Sequence, residues 1–235
     1  MTDSPFDDVY DDKFDLDDSV EIEGIDPADS RVLDEMVEGI DEEDVDIDGL
    51  IEAGVGYVSI NRYEQAVEAF ERAVRFDEEN AEAWVNKGFA HAEIEEYDRA
   101  IGAYDEALRV DEDDEFAAEA LVNKAYAQYE LGRGDPLRTV ERALEKDERS
   151  PEAWYNRAVF LNERGSHEDA LRCIDNALSL GQRGPRALQE KARALEELGR
   201  YDEAEEVREA AREAEEEEIM SEAREAREGE GDLRL

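Results

Sequence analysis

A spacing of 34 residues constrains this chain more than any other feature. Ala66, Phe70 and Ala73 in YEQAVEAFERAV return as Ala100, Tyr104 and Ala107 in YDRAIGAYDEAL. Leu50 and Gly54 return at the same offset as Trp84 and Gly88, and Trp154 and Ala158 as Leu188 and Ala192. Ala143, Ala177 and Ala211 follow one another at that interval. Self-similarity at a fixed period of this length marks a stacked repeat architecture. Each unit holds two amphipathic stretches separated by a short polar break, such as Asn61-Arg62 or Glu95-Glu96. Small residues (Gly54, Ala66, Gly88, Ala100, Ala158, Ala170) let two helices approach to about 8–10 Å. Large ones (Tyr57, Phe70, Trp84, Tyr104, Trp154) fill the space between hairpins. One hairpin cannot bury its own faces, so neighbours must stack. The expectation is an all-α chain whose core begins near residue 48.

At these residues the chain resembles the tetratricopeptide repeat family. The first unit supplies Leu50, Gly54, Tyr57, Tyr63, Ala66, Phe70 and Ala73. The second supplies Trp84, Gly88, Tyr97, Ala100, Tyr104 and Ala107, with His91 where an aromatic is usual. The fourth supplies Trp154, Ala158, Ala170 and Ala177, and the fifth Leu188, Ala192, Leu195, Tyr201, Ala204 and Ala211. The resemblance covers about residues 48–212 and implies a right-handed α-solenoid of about five helix hairpins. The third unit departs from it. Leu121 lies 37 residues after Trp84, and Ala143 only 36 after Ala107. The added residues in DEDDEFAAEA are expected to lengthen a helix at its start. In GDPLRTV, Asp135 is expected at an N-cap with Pro136 at the first helical position. Arg208 replaces the usual core aromatic of the last unit, as a polar solenoid end requires.

The net charge of −43 is extreme. It repels nucleic acid and anionic membranes and can attract basic proteins. Only five of the 27 basic residues are lysine. Dispersed acid with little lysine resembles proteins of halophilic archaea, whose molar salt shortens the screening length to about 3 Å. No apolar run reaches the roughly 18 residues that span a bilayer, and the acidic start lacks a signal-peptide pattern. A cytoplasmic location is therefore expected. Residues 1–28 combine low hydrophobicity with eleven acidic side chains, which predicts a disordered tail. Residues 29–47 read as a short helix from Ser30 to Glu38 and a linker, and 213–235 as a helical cap extension and C-terminal tail. The acidic N-terminal tail also supports an alternative role, an acidic chaperone-like protein holding basic partners.

Three asparagines stand out as a candidate site: Asn86, Asn123 and Asn156, in WVNKG, LVNKA and WYNRA. The resemblance implies that first helices line a concave groove in which such asparagines bond the backbone of an extended ligand. Val85, Phe89, Val122, Tyr126, Tyr155 and Val159 lie near them and are read as apolar contacts for that ligand. Of the lysines or arginines that a clamp for a chaperone's terminal carboxylate would need, only Arg186 is present, so no clamp is expected; Glu82, Glu119 and Glu152 rim the groove instead, which favours a neutral or basic partner segment.

Other signals read as structural. Asp44-x-Asp46-x-Asp48-Gly49 matches half of a calcium loop, but Val55 stands where the closing glutamate belongs. Asp48 is read as a helix cap. His91 and His167 fall at packing positions without metal-ligand spacing, and the lone Cys173 lies on an apolar helix side. No catalytic constellation is visible. The expectation is a scaffold or adaptor with no enzyme activity, cofactor or metal.

Overall fold

The computed structural model describes residues 45–110, 116–182 and 184–232. The tail expected over residues 1–28 and the helix expected from Ser30 to Glu38 lie outside them. From Asp46 onward the chain forms one compact unit. Its described residues form ten α-helices and no strand: α1 (Ile47–Ser59), α2 (Tyr63–Phe76), α3 (Ala81–Glu93), α4 (Tyr97–Val110), α5 (Ala117–Glu130), α6 (Pro136–Lys146), α7 (Pro151–Glu163), α8 (His167–Ser179), α9 (Pro185–Glu197) and α10 (Tyr201–Asp232). They pair as five antiparallel hairpins, α1/α2 to α9/α10. Each first helix also packs on the first helix of the next hairpin. Stacking therefore builds a continuous layer of first helices.

All five hairpins turn in one way. The residue two before each second helix adopts a left-handed conformation: Asn61, Glu95, Gly132, Gly165 and Gly199 in turn, except that Gly132 stands four residues before Pro136. The next amide then bonds a carbonyl five residues back, as in Glu96 N to His91 O and Ser166 N to Leu161 O, both 2.9 Å. This closes the helix end in the Schellman manner. Glycine adopts this conformation freely, whereas Glu95 (φ 61°) bears the Cβ penalty.

The core follows a reciprocal rule of size. In the first two hairpins a glycine faces an aromatic ring. A Cβ on Gly54 would lie 2.4 Å from Phe70, and one on Gly88 2.5 Å from Tyr104. In the third and fourth hairpins alanine replaces glycine, and the ring becomes aliphatic: Ala125 packs with Val140 and Ala158 with Ile174. In the fifth, Ala192 and Arg208 line a cavity of about 270 Å³ with further charged side chains, the polar end that the sequence implied.

A ladder of ion pairs crosses every junction between hairpins. Lys87 pairs with Glu71 at 3.4 Å, Lys124 with Asp105, Arg157 with Glu141 at 3.1 Å and Lys191 with Asp175 at 2.6 Å. The cation always comes from a first helix and the carboxylate from the preceding second helix. Partners lie 16 residues apart, except across the second junction, where the separation is 19. The extra residues of the third unit are thus accommodated without loss of register. One of them joins α5, which begins one residue earlier than its counterparts.

Local signals set the helix starts. Asn80 and Ser150 cap α3 and α7, and Asp135 caps α6 ahead of Pro136, as expected. At α1 the cap is Asp46, whose Oδ1 accepts from Gly49 N at 2.9 Å. Asp48 already lies in the first helical turn and is not the cap. The helix runs through the second half of the calcium-like motif, so these acids are not arranged as a loop, and Asp44 lies outside the described residues. Trp84 and Trp154 each pin the preceding connection by donating to Glu78 O and Glu148 O.

Candidate functional site on the first-helix face

Residues i, i+4, i+7 and i+11 fall on one line of a helix. On α3 that line holds Glu82, Asn86, Phe89 and Glu93. On α5 it holds Glu119, Asn123, Tyr126 and Glu130, and on α7 Glu152, Asn156, Val159 and Glu163. None of these twelve side chains is buried. The layer of first helices thus carries three parallel stripes of one pattern, carboxylate, amide, apolar group, carboxylate. On α9 the line changes to Arg186, Glu190, Arg193 and Glu197.

The three asparagines are half-buried, and their side-chain amides make no hydrogen bond to any described residue. Their hydrogen-bonding capacity is therefore not consumed within the solenoid. Tyr126 is 43% exposed, and Phe89, Tyr155 and Val159 are half-buried beside the stripes. Val85 and Val122 are different. They are 2% and 7% exposed, and offer no surface to a ligand. Val85 packs with Tyr104, Ala120 and Ala127, and Val122 with Val140 and Phe160. The residue before each asparagine turns toward the next hairpin, which covers it. Tyr155 holds the same place on α7 but is larger and stays partly open.

Charge is distributed unevenly along this face. Among the described residues, Glu82, Glu93, Glu119 and Glu130 have no cation within ion-pair distance. Burial and the neighbouring Glu82 push the Glu119 carboxyl above its ordinary value. Burial, the Glu130 carboxylate and Tyr97 push the Tyr126 hydroxyl up to about 12. Nearer the C-terminus, Arg193 binds Glu163 at 2.5 Å and Glu190 at 3.7 Å, so that part of the face is neutralised internally. Asn162 is buried and donates to the Glu190 backbone and carboxylate, which ties α7 to α9.

The remaining candidates are structural. His91 is 2% exposed, and its Nδ1 lies 2.8 Å from Glu96. Burial outweighs that carboxylate and lowers the imidazole's proton affinity. His167 contacts Asn162 at 3.2 Å. Cys173 is buried, which raises its thiol's pKa despite Arg157 nearby.

Tetratricopeptide-repeat profiles match residues 51–115, 90–135, 139–172 and 163–218, together more than half of the chain. The chain belongs to the tetratricopeptide repeat family. Solved structures share the fold. MamA is 21% identical, with a TM-score of 0.60, over 71% of this chain and 96% of its own. PilF of Pseudomonas aeruginosa is 22% identical, with a TM-score of 0.64, over 72% and 76%. YrrB, a tetratricopeptide-repeat protein with an unusual peptide-binding site, is 18% identical, with a TM-score of 0.58, over 84% and 100%. No curated protein matches in sequence. No described helix of this family member is long and apolar enough to cross a membrane.

Proposed function

We propose that this chain is a protein-interaction scaffold that holds an extended partner segment across the stripes of α3, α5 and α7. The unspent amides of Asn86, Asn123 and Asn156 carry the reading. They stand at equivalent places on successive helices, where they can pair with the backbone of one strand-like segment while side chains rest on Phe89, Tyr126, Tyr155 and Val159. Carboxylates flank every amide, which favours a neutral or basic segment over an acidic one. The peptide-binding site of YrrB supports the reading, since a chain of this fold carries one. The role is binding and not catalysis, and it requires neither cofactor nor metal.

Selection from a random-peptide display library tests it. Peptides enriched on the native chain are expected to lose at least tenfold in affinity for the Asn86→Ala/Asn123→Ala/Asn156→Ala variant, whose far-UV circular dichroism stays unchanged. Equal binding by the two proteins would move the site off this face. Loss on deleting residues 1–28 instead would give the function to the acidic tail.

A further inference from the structure

The cation of each junction is flanked on its helix, four residues before and three after, by a residue that the preceding second helix covers. Ala120 and Ala127 on α5 pack with Tyr104 and Ala107 of α4, and Ala153 and Phe160 on α7 with Val140 and Ala143 of α6. The flanks on α3, α5, α7 and α9 are at most 3% exposed. On α1 the same line holds Gly49, Ala53 and Gly56, with Ile60 one turn further on. The first three are partly exposed and Ile60 is 41% exposed. Among the described residues nothing lies within 4 Å of the place that a Cβ on Gly56 would take. This end keeps the small, uncharged surface of a helix made to be covered. At the other end Arg212 stands where Leu108, Leu144 and Leu178 pack in earlier hairpins. A solenoid end left open to water needs such a polar finish, and α1 lacks it.

The sequence supplies a cover in phase. Thirty-four residues before α2 stands DSRVLDEMVEGIDE, residues 29–42, which lie outside the described residues. Val32, Leu33, Met36, Gly39 and Ile40 take the places of Ala66, Val67, Phe70, Ala73 and Val74, all buried on α2. The ion-pair ladder gives an independent sign. Where its cation becomes Ala53, the place of Glu71, Asp105, Glu141 and Asp175 becomes Val37. Both members of the pair turn apolar together. Glu35 departs from the pattern, since α2 buries Ala69 there. At that place Thr139 bonds Gln128 and Cys173 contacts Arg157, each on the first helix of its own hairpin, which a half-hairpin lacks.

We propose that residues 29–42 are the second helix of a leading half-hairpin and seat on the Gly49, Ala53 and Gly56 face of α1, with Val37 against Ala53 in place of an ion pair. A segment of the same chain reaches this face at high effective concentration. A second copy would have to overcome the repulsion of two charges of −43. The inference stands apart from the groove reading, because the asparagine stripes occupy a different line of the first helices.

Urea denaturation of the full chain tests the Val37–Ala53 junction. Val37→Glu should lower the midpoint, because it sets a carboxylate against an apolar surface. In an Ala53→Lys background, which recreates the Glu71–Lys87 pair, the same substitution should lower it by no more than half as much. Equal drops in the two backgrounds would overturn the proposal. A readout without charge is Leu33→Ser/Ile40→Ser, which should speed hydrogen exchange in α1 while leaving α9 unchanged. Unaltered exchange in α1 would count against the seat. Sedimentation velocity should find one monomeric species at every concentration. A dimer that Ala53→Lys dissolves and Val37→Glu leaves intact would assign the face to a second copy instead.

Discussion

The first two hairpins and the fourth solve the same packing problem in different ways. In the first two, Gly54 and Gly88 admit the rings of Phe70 and Tyr104 to within a distance that no Cβ allows. In the fourth, Ala158 meets Ile174. The turns reverse the economy. The first two hairpins place Asn61 and Glu95 in the left-handed region, and the later ones place glycine there. The stripes on the first helices differ too: those of α3 and α5 carry no cation, whereas on α7 Glu163 is paired with Arg193. One backbone plan therefore tolerates a large side chain at either of two places, provided that the residue facing it yields.

The largest test of this comparison exchanges the core pairs. Gly88→Ala should destabilise the chain by about 2 kcal/mol through overpacking against Tyr104. Gly88→Ala/Tyr104→Ile, which copies the fourth hairpin, should recover at least half of that loss in chemical denaturation. No recovery would mean that the pairs are not interchangeable. The turns give a smaller effect. Glu95→Gly should stabilise by about 0.5–1 kcal/mol by relieving a left-handed non-glycine residue. An unchanged midpoint would show that the Glu95 conformation is not strained.

On the first-helix face, Arg193→Gln removes the cation from Glu163 and Glu190. Under the proposed groove reading it should tighten binding of basic peptides about threefold, the scale of an exposed pair. The smallest effect is one of pH. The folded chain binds fewer protons at His91 than the unfolded chain, because burial lowers that imidazole's pKa. Stability should therefore be full above the ordinary histidine value of about 6.5 and decline as pH falls through it. Glu96, whose pKa is lowered chiefly by His91 and Arg99 against burial, adds its own loss only below the ordinary carboxylate range. His91→Leu, which copies Leu161 and Leu195 of later hairpins, should remove the decline between pH 7 and 5. A decline of equal depth in that variant would place its origin elsewhere.

Much of this was legible in the sequence. The period, the hairpins from residue 48, the cap at Asp135-Pro136 and the polar end at Arg208 all follow from local chemistry and spacing. The asparagine trio was legible because its place in the repeat recurs. The burial of Val85 and Val122 was not, since helical periodicity assigns a face to one helix and cannot say where the next hairpin covers it. The ion-pair ladder left a signal that went unread. Three of the chain's few lysines, Lys87, Lys124 and Lys191, stand one residue after the trio or at the matching place, with a carboxylate 16 or 19 residues earlier. Within so acidic a chain a carboxylate at any offset carries little information, and only the recurrence of the cation reveals the pairing.

That ladder also bears on how the stack stops. Each junction works as a keyed connector, with a cation plug on the incoming helix and a carboxylate socket on the outgoing one. On α1, the first described helix, the plug position is Ala53, which offers nothing to a preceding socket. On α10 the matching socket is Glu209, and it is already filled by Arg212 of the same helix at 2.6 Å. A second copy brought end to end would find a blank plug opposite an occupied socket. The connector that holds neighbouring hairpins in order therefore gives these two ends no means of joining copies into a fibre.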